Sequence, residues 1–218
     1  DRKNEKGKKE FADNKIGKSP DNLYGNVIVE VISALSLEEK QKKLRRDSIK
    51  LELQKQAIDT HLNGKKAIIF IAMEGWSKKG GEGDYVRELS QEFAHQGHMV
   101  MVVNPFFSEP YADISSEAGE DLFDTHVPVG EGVIDFNVFY NRIGNVHYLR
   151  FKDVEKILYP VVYPEIFINE KLYSDTIYGY VESVALSKIS FYLLQHLHIT
   201  PDVLHFNDWQ AGLGPVYM

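Results

Sequence analysis

The chain has 218 residues, 43% of them hydrophobic and 12% aromatic, which predicts a packed core of one domain with room for an appendage. A formal charge of −7 excludes a general nucleic-acid binder, which carries a basic excess, yet it permits a locally positive anion site. The absence of cysteine excludes a disulfide framework and thiolate metal ligands, and no apolar run approaches the ~20 residues that cross a bilayer.

Residues 1 to about 22 are lysine-rich, glycine-punctuated and poor in large apolar side chains, which predicts a mobile arm. "NVIVEVISAL" reads as a short strand or the start of a helix. Ser36 and Glu39 then form a capping box ahead of a charged helical segment. Within it Leu37, Leu44, Leu51 and Ile58 recur every seventh residue, which predicts one apolar stripe packed on the domain. Gln41, Ser48 and Lys55 interrupt any second row, against a coiled-coil seam. Asn63-Gly64 ends the segment, so residues 1–64 are read as an N-terminal extension and 65–218 as the main domain.

From Lys65 the pattern becomes regular. "KAIIFIAM" and "HMVMVVNP" are continuous apolar runs of strand length, the signature of strands covered on both faces. Between them Val86, Leu89, Ser90, Phe93 and Ala94 share one face of a helix that stops at Gly97. Strand, helix and strand of this size make a βαβ crossover and a parallel sheet. Residues 108–132 read as an acidic surface loop, and "VIDFNVFYNRIGNVHYLRF" gives two further strands around Gly144. "VESVALSKISFYLLQHL" is helical, with His196 and His198 as surface or capping residues at its end, and "DVLHF" is a last buried strand. The fold class is α/β, a Rossmann-like doubly wound parallel sheet with a charged helical N-terminal extension.

Open α/β sheets bind ligands at the carboxyl ends of their strands, and two segments reach that edge with small or polar residues. One holds Glu74, Lys78, Gly80, Gly81, Gly83 and Asp84; the other holds His205, Asn207, Asp208, Trp209 and Gln210. The glycines serve either a tight turn or a phosphate cradle, in which backbone N–H groups, a helix N-terminus and Lys78 face the anion. Asp84 is placed to cap that helix. The loop matches neither G-x-x-x-x-G-K-[ST] nor the full G-x-G-x-x-G spacing. His205 alone is equally a satisfied core residue, and Trp209 alone a core residue; the cluster at a strand end is the sharper signal. His205 and Asp208 find no third ligand nearby, so no metal is expected.

"AMEGWSKKGGEGDYVRELSQEFAHQGHMVMVVNP" and "PDVLHFNDWQAGLGPVYM" together resemble bacterial glycogen synthases and plant starch synthases. The first resembles K-x-G-G-L-G-D, a helix and G-H-x-V-x-V-x-x-P; the second resembles the family's P-D-[IV]-[VI]-H-x-[HN]-D-W stretch. The resemblance covers residues 65–218 and implies the N-terminal half of a GT-B fold. It implies a retaining glucosyltransferase that moves glucose from ADP-glucose, or UDP-glucose, to the non-reducing end of an α-1,4-glucan. By the resemblance, Lys78 contacts the donor phosphates and Gly80 and Gly81 lie beside the transferring glucose. Asp84 closes the glycine motif among the substrate-binding residues. His205 and Asn207 are the catalytic candidates, in the stretch that touches the transferred sugar, and Asp208 and Trp209 fix that loop. No cofactor or metal is implied beyond the nucleotide-sugar donor.

The chain departs from the family pattern at Glu82, in place of leucine, and at Tyr178 and Gly179, in place of Asp and Asn. Asn207 stands where many members carry histidine. The implied partners are the donor, an α-glucan acceptor and a C-terminal Rossmann-like domain, with no nucleic acid and no membrane. The sequence starts at Asp1 without an initiator methionine and stops inside an apolar pattern, so it reads as a fragment. The implied location is the cytoplasm, or a plastid if a targeting segment was removed. The alternatives are a catalytically silent relative that serves as a binding or scaffolding partner, and another GT-B transferase with a different acceptor.

Overall fold

Ser36 donates its backbone N–H to Glu39 Oε2 (2.7 Å) and its Oγ accepts from Glu39 N (3.2 Å), the reciprocal pair expected of a capping box. It opens α1, Leu37–Leu62. This computed structural model describes residues 36–75, 81–106, 119–153 and 177–218. "NVIVEVISAL" and the N-terminal arm lie outside the described residues. The chain divides into two compact units, Asp1–Arg45 and Arg46–Met218.

The second unit is built on a six-stranded sheet. Its strands are β1 (Ala67–Ile71), β2 (Met99–Pro105), β3 (Glu120–Val129), β4 (Gly132–Ile143), β5 (Val146–Asp153) and β6 (Val203–Phe206). They lie in the order β3-β4-β5-β2-β1-β6. β1 pairs in parallel with both β2 and β6, and β2 with β5, as the βαβ pattern requires. β4 runs antiparallel to both β5 and β3, so the sheet is mixed and mostly parallel. The hairpins at Gly130 and Gly144 cause this, since both glycines adopt positive φ and turn the chain directly back. β3 occupies part of the region expected to be an acidic loop. Phe123, Thr125 and Val127 point inward, while Asp124, His126 and Pro128 are exposed.

Alternation along β1 separates two cores. Ile69 and Ile71 join one cluster with α3 (Ile177–Leu197) through Leu186, Ile189 and Leu193. Ile68 and Phe70 join the other with α2 (Gly81–His95) through Val86 and Ala94, with Leu89 and Phe93 packed alongside. Helices on both faces explain why β1 and β2 are continuous apolar runs. β6 was expected to be buried, but it has β1 as its sole neighbour in the described sheet, and Val203 is exposed.

The second half of α1 packs on the first core through Ile49, Leu53 and Ala57. The part of the predicted stripe in this unit does not: Leu51 and Ile58 are each more than half exposed. Asp202, just before β6, ties the amino ends of the strands together. Its Oδ2 accepts from Ala67 N (2.8 Å) and lies 2.7 Å from His61 Nε2, while Oδ1 accepts from Lys66 Nζ (3.1 Å). The Ala67 bond first, then Lys66, holds its carboxyl down at about 2.

Candidate functional site

The carboxyl ends of β1, β2 and β6 come together at one edge. Ile71 lies opposite Val103 on one side and Phe206 on the other. The ladder continues one step further, with Ala72 N donating to Val103 O (3.1 Å) and Asn207 N to Ile71 O (2.9 Å). Met73, Glu74 and Gly75 then stay buried as the chain leaves the sheet. Gly75 is required there: a Cβ would stand 2.9 Å from both Cγ and Oδ1 of buried Asn104.

Two glutamates lock the end of β1 to the start of α2. Glu74 Oε2 accepts from Gly83 N (3.3 Å), and Glu82 Oε1 accepts from Met73 N (3.2 Å). Glu82 Oε1 also accepts from Asn207 Nδ2 at 2.9 Å, across 125 residues of sequence. Burial is the main reason that the Glu82 carboxyl is pushed up to about 7; the charges of Glu74 and Asp208 add to it, against the Asn207 and Met73 hydrogen bonds. One backbone N–H of the loop, that of Gly83, and that of Met73 just before it thus already serve carboxyl groups. A phosphate reading of this loop therefore rests on Lys78, Gly80 and Gly81. Lys78 and Gly80 lie outside the described residues. Gly81 opens α2, exposed, and a Cβ there would meet nothing within 4 Å.

Asp84 lies inside the first turn of α2 and accepts from Arg87 Nη2 (2.6 Å), an i,i+3 ion pair. His205 lies opposite Phe70, its ring 4.8 Å from the Phe70 ring and 6.0 Å from that of Tyr85 on α2. Its side chain is half-buried between sheet and helix. Asp208 starts α4 (Asp208–Ala211) in the left-handed region, φ +60°, and its Oδ1 accepts from Trp209 N (2.7 Å). Trp209 is 45% exposed, so it is not a core residue. The structure brings Gly81, His205, Asn207, Asp208 and Trp209 to the same edge.

Sequence reasoning missed Glu82 as the link between the two segments, because a loop glutamate carries no local sign of a partner so far along the chain. It also missed Glu182. This residue lies near the start of α3, buried, with Oε1 lacking a hydrogen-bond partner, and burial pushes its carboxyl up to about 8. Tyr178 and Gly179 fall in the first turn of α3, four residues earlier than the predicted helix start. Among the described residues no group of three or more His, Asp or Glu side chains is arranged to hold a metal ion. No described helix is long and apolar enough to cross a membrane.

Comparison with known proteins adds sequence and structural kinship. Residues 67–218 match the family model described as the starch synthase catalytic domain. The chain is 29% identical over 153 residues to a glycogen synthase of Hydrogenobaculum sp. (strain Y04AAS1), covering 69% of this chain and 30% of that protein. It is 32% identical over 158 residues to a glycogen synthase of Anaeromyxobacter sp. (strain K), covering 68% and 29% respectively. The chain thus spans less than a third of the length of these relatives. Among solved structures, the catalytic domain of starch synthase IV from Arabidopsis thaliana, bound to ADP and acarbose, superposes with a TM-score of 0.52. That match has 16% identity and covers 70% of this chain and 30% of the other, so it bears on the fold. The family model runs from the first strand through the glycine loop to the segment after β6, and on that ground the chain belongs to the starch synthase catalytic domain family.

Proposed function

We propose that this chain forms the N-terminal Rossmann-like half of a retaining glucosyltransferase. It transfers glucose from ADP-glucose or UDP-glucose to the non-reducing end of an α-1,4-glucan. The observation that carries this reading is the Asn207–Glu82 hydrogen bond, which joins the glycine-loop segment and the post-β6 segment at one sheet edge. Family membership supports it, as does the structural neighbour bound to ADP. Lys78 neutralises the leaving diphosphate, Gly80 and Gly81 let the backbone approach the donor, and Asp84 holds the start of α2. His205 and Asn207 contact the transferred glucose, with Asp208 and Trp209 fixing their loop. The charge of the donor phosphates is met by lysine and arginine without a metal. A second Rossmann-like domain closes the cleft, a reading supported by the small share of each relative that the chain spans.

The test is transfer of labelled glucose from each donor to glycogen, by a protein that joins this chain to such a second domain. Label incorporated at non-reducing ends and released by an exo-acting α-1,4-amylase is the expected result. No transfer from either donor would favour the silent scaffold, a reading to which the Glu82 carboxyl beside the glycine loop lends support. The 218-residue chain alone, with an open half-cleft, is expected to bind ADP-glucose no tighter than about millimolar and to transfer nothing. Micromolar affinity by calorimetry would place the donor site in this half.

A further inference from the structure

The Glu82 carboxyl is a three-way junction. It sits on the first turn of α2 and takes hydrogen bonds from the chain leaving β1, at Met73 N, and from the segment following β6, at Asn207 Nδ2. Asn207 is held twice, because its backbone N–H also donates to Ile71 O, with φ −99° and ψ 127° placing it extended before α4. A side-chain amide has one acceptor oxygen and one donor nitrogen. With one Nδ2 hydrogen committed to Glu82 the amide is held against flipping, so Oδ1 is presented as an acceptor on a fixed side, next to the second Nδ2 hydrogen.

We propose that Glu82 is a positioning residue that fixes the Asn207 amide, so that Asn207 presents an acceptor oxygen and takes a hydrogen bond from a sugar hydroxyl. The sugar part of this inference rests on the proposed glucosyl transfer; the Glu82–Asn207 coupling does not. Glu82 departs from the leucine of the glycine motif, and a leucine could accept neither bond. The carboxyl serves in either protonation state, since Oε1 remains an acceptor when the acid is neutral. Oε2, buried and without a hydrogen-bond partner, is the oxygen free to carry the proton. Among the described residues, the titratable groups whose charges bear on Glu82 are Glu74 from the end of β1 and Asp208 from the start of α4. Both raise its affinity for that proton.

The experiment follows the Asn207 side-chain NH2 signals by 15N NMR in the 218-residue chain, alongside kcat and KM of the two-domain protein. Wild type, Glu82→Gln and Glu82→Leu are compared. In the wild type the NH2 signals should titrate with a midpoint near pH 7, the value to which Glu82 is pushed. Glutamine keeps the acceptor oxygen, so the signals should stay near their wild-type positions but cease to titrate, with kcat within about threefold. Leucine should move the signals toward those of a free amide and lower kcat roughly tenfold to a hundredfold, with KM for the glucan changed much less. Asn207 signals that ignore pH and are unmoved in Glu82→Leu would overturn the coupling. Shifted signals with an unchanged kcat in Glu82→Leu would overturn the positioning role. A wild type that titrates as expected but transfers no glucose would overturn the proposed function and leave the coupling standing.

Discussion

Asn104 lies fully buried beside Gly75 and donates Nδ2 to Pro105 O (2.9 Å), so its side chain cannot swing away without losing that bond. A methyl group at position 75 must therefore displace backbone or break that bond. Gly75→Ala is expected to destabilise the chain by about 1–3 kcal/mol, the usual cost of overpacking, read as a lower midpoint in urea with an unchanged slope. Lys78 makes a different prediction, one that concerns chemistry rather than packing. If it neutralises the leaving diphosphate in the two-domain enzyme, Lys78→Ala removes a charge-assisted contact worth about 1.5–3 kcal/mol, a loss of roughly tenfold to over a hundredfold in kcat/KM. Unchanged kcat/KM with ADP-glucose and glycogen would make it an ordinary surface lysine. The pairing of Glu82 with Asn207 was not legible in the sequence, since nothing local to either residue names a partner 125 positions away. The two segments were legible separately, because small and polar residues crowd where an apolar strand stops.

At the scale of elements, β1, β2 and α2 could be read directly, because burial on both sheet faces leaves continuous apolar runs and a one-sided helix. β3 could not, because its solvent face carries Asp124 and His126 and its acidic start reads as a loop. The inward set of Phe123, Thr125 and Val127 was there to be found as a period-two pattern. α1 misled in another way. Its heptad of Leu37, Leu44, Leu51 and Ile58 suggests one stripe, but the face that packs is Ile49, Leu53, Ala57 and Thr60, spaced three and four residues apart. Leu51 and Leu53 separate these faces within a single turn. Leu53→Ala, fully buried in the wild type, should cost about 2–5 kcal/mol. Leu51→Ala, 66% exposed, should stay within about 0.5 kcal/mol. Thermal unfolding of the two variants checks the assignment, and equal losses would refute it.

For the molecule as a whole, three buried groups among the described residues make stability follow pH between about 4 and 8. Burial pushes Glu82 up to about 7 and Glu182 up to about 8, so the folded state holds protons that the unfolded chain releases. Their contribution is full below the ordinary glutamate value of 4.5 and is lost as pH rises through 7 and 8. His147 works in the opposite direction. It is fully buried, its Nδ1 lies 2.9 Å from Tyr140 Oη, and burial pushes it down to about 4. Its contribution is present above the ordinary value of 6.5 and is lost as pH falls through about 4. Stability should therefore peak in mildly acidic solution, with a melting temperature higher near pH 6 than near pH 8.5. The double variant Glu82→Gln, Glu182→Gln should flatten the alkaline side of that curve; a slope unchanged by both substitutions would show that other groups cause it. The sheet order described above also bears on how copies of the chain meet at high concentration. An open strand edge is a template on which another chain can add, as in fibril growth. Among the described strands, β6 ends one side after only four residues, too short a rail for lasting addition. β3 ends the other side over ten residues, and there Asp121 and Asp124 are engaged by Arg46 while Pro128 interrupts the row of donors. The long edge is guarded by charge and proline and the short one by its length, which favours separate molecules over stacked sheets.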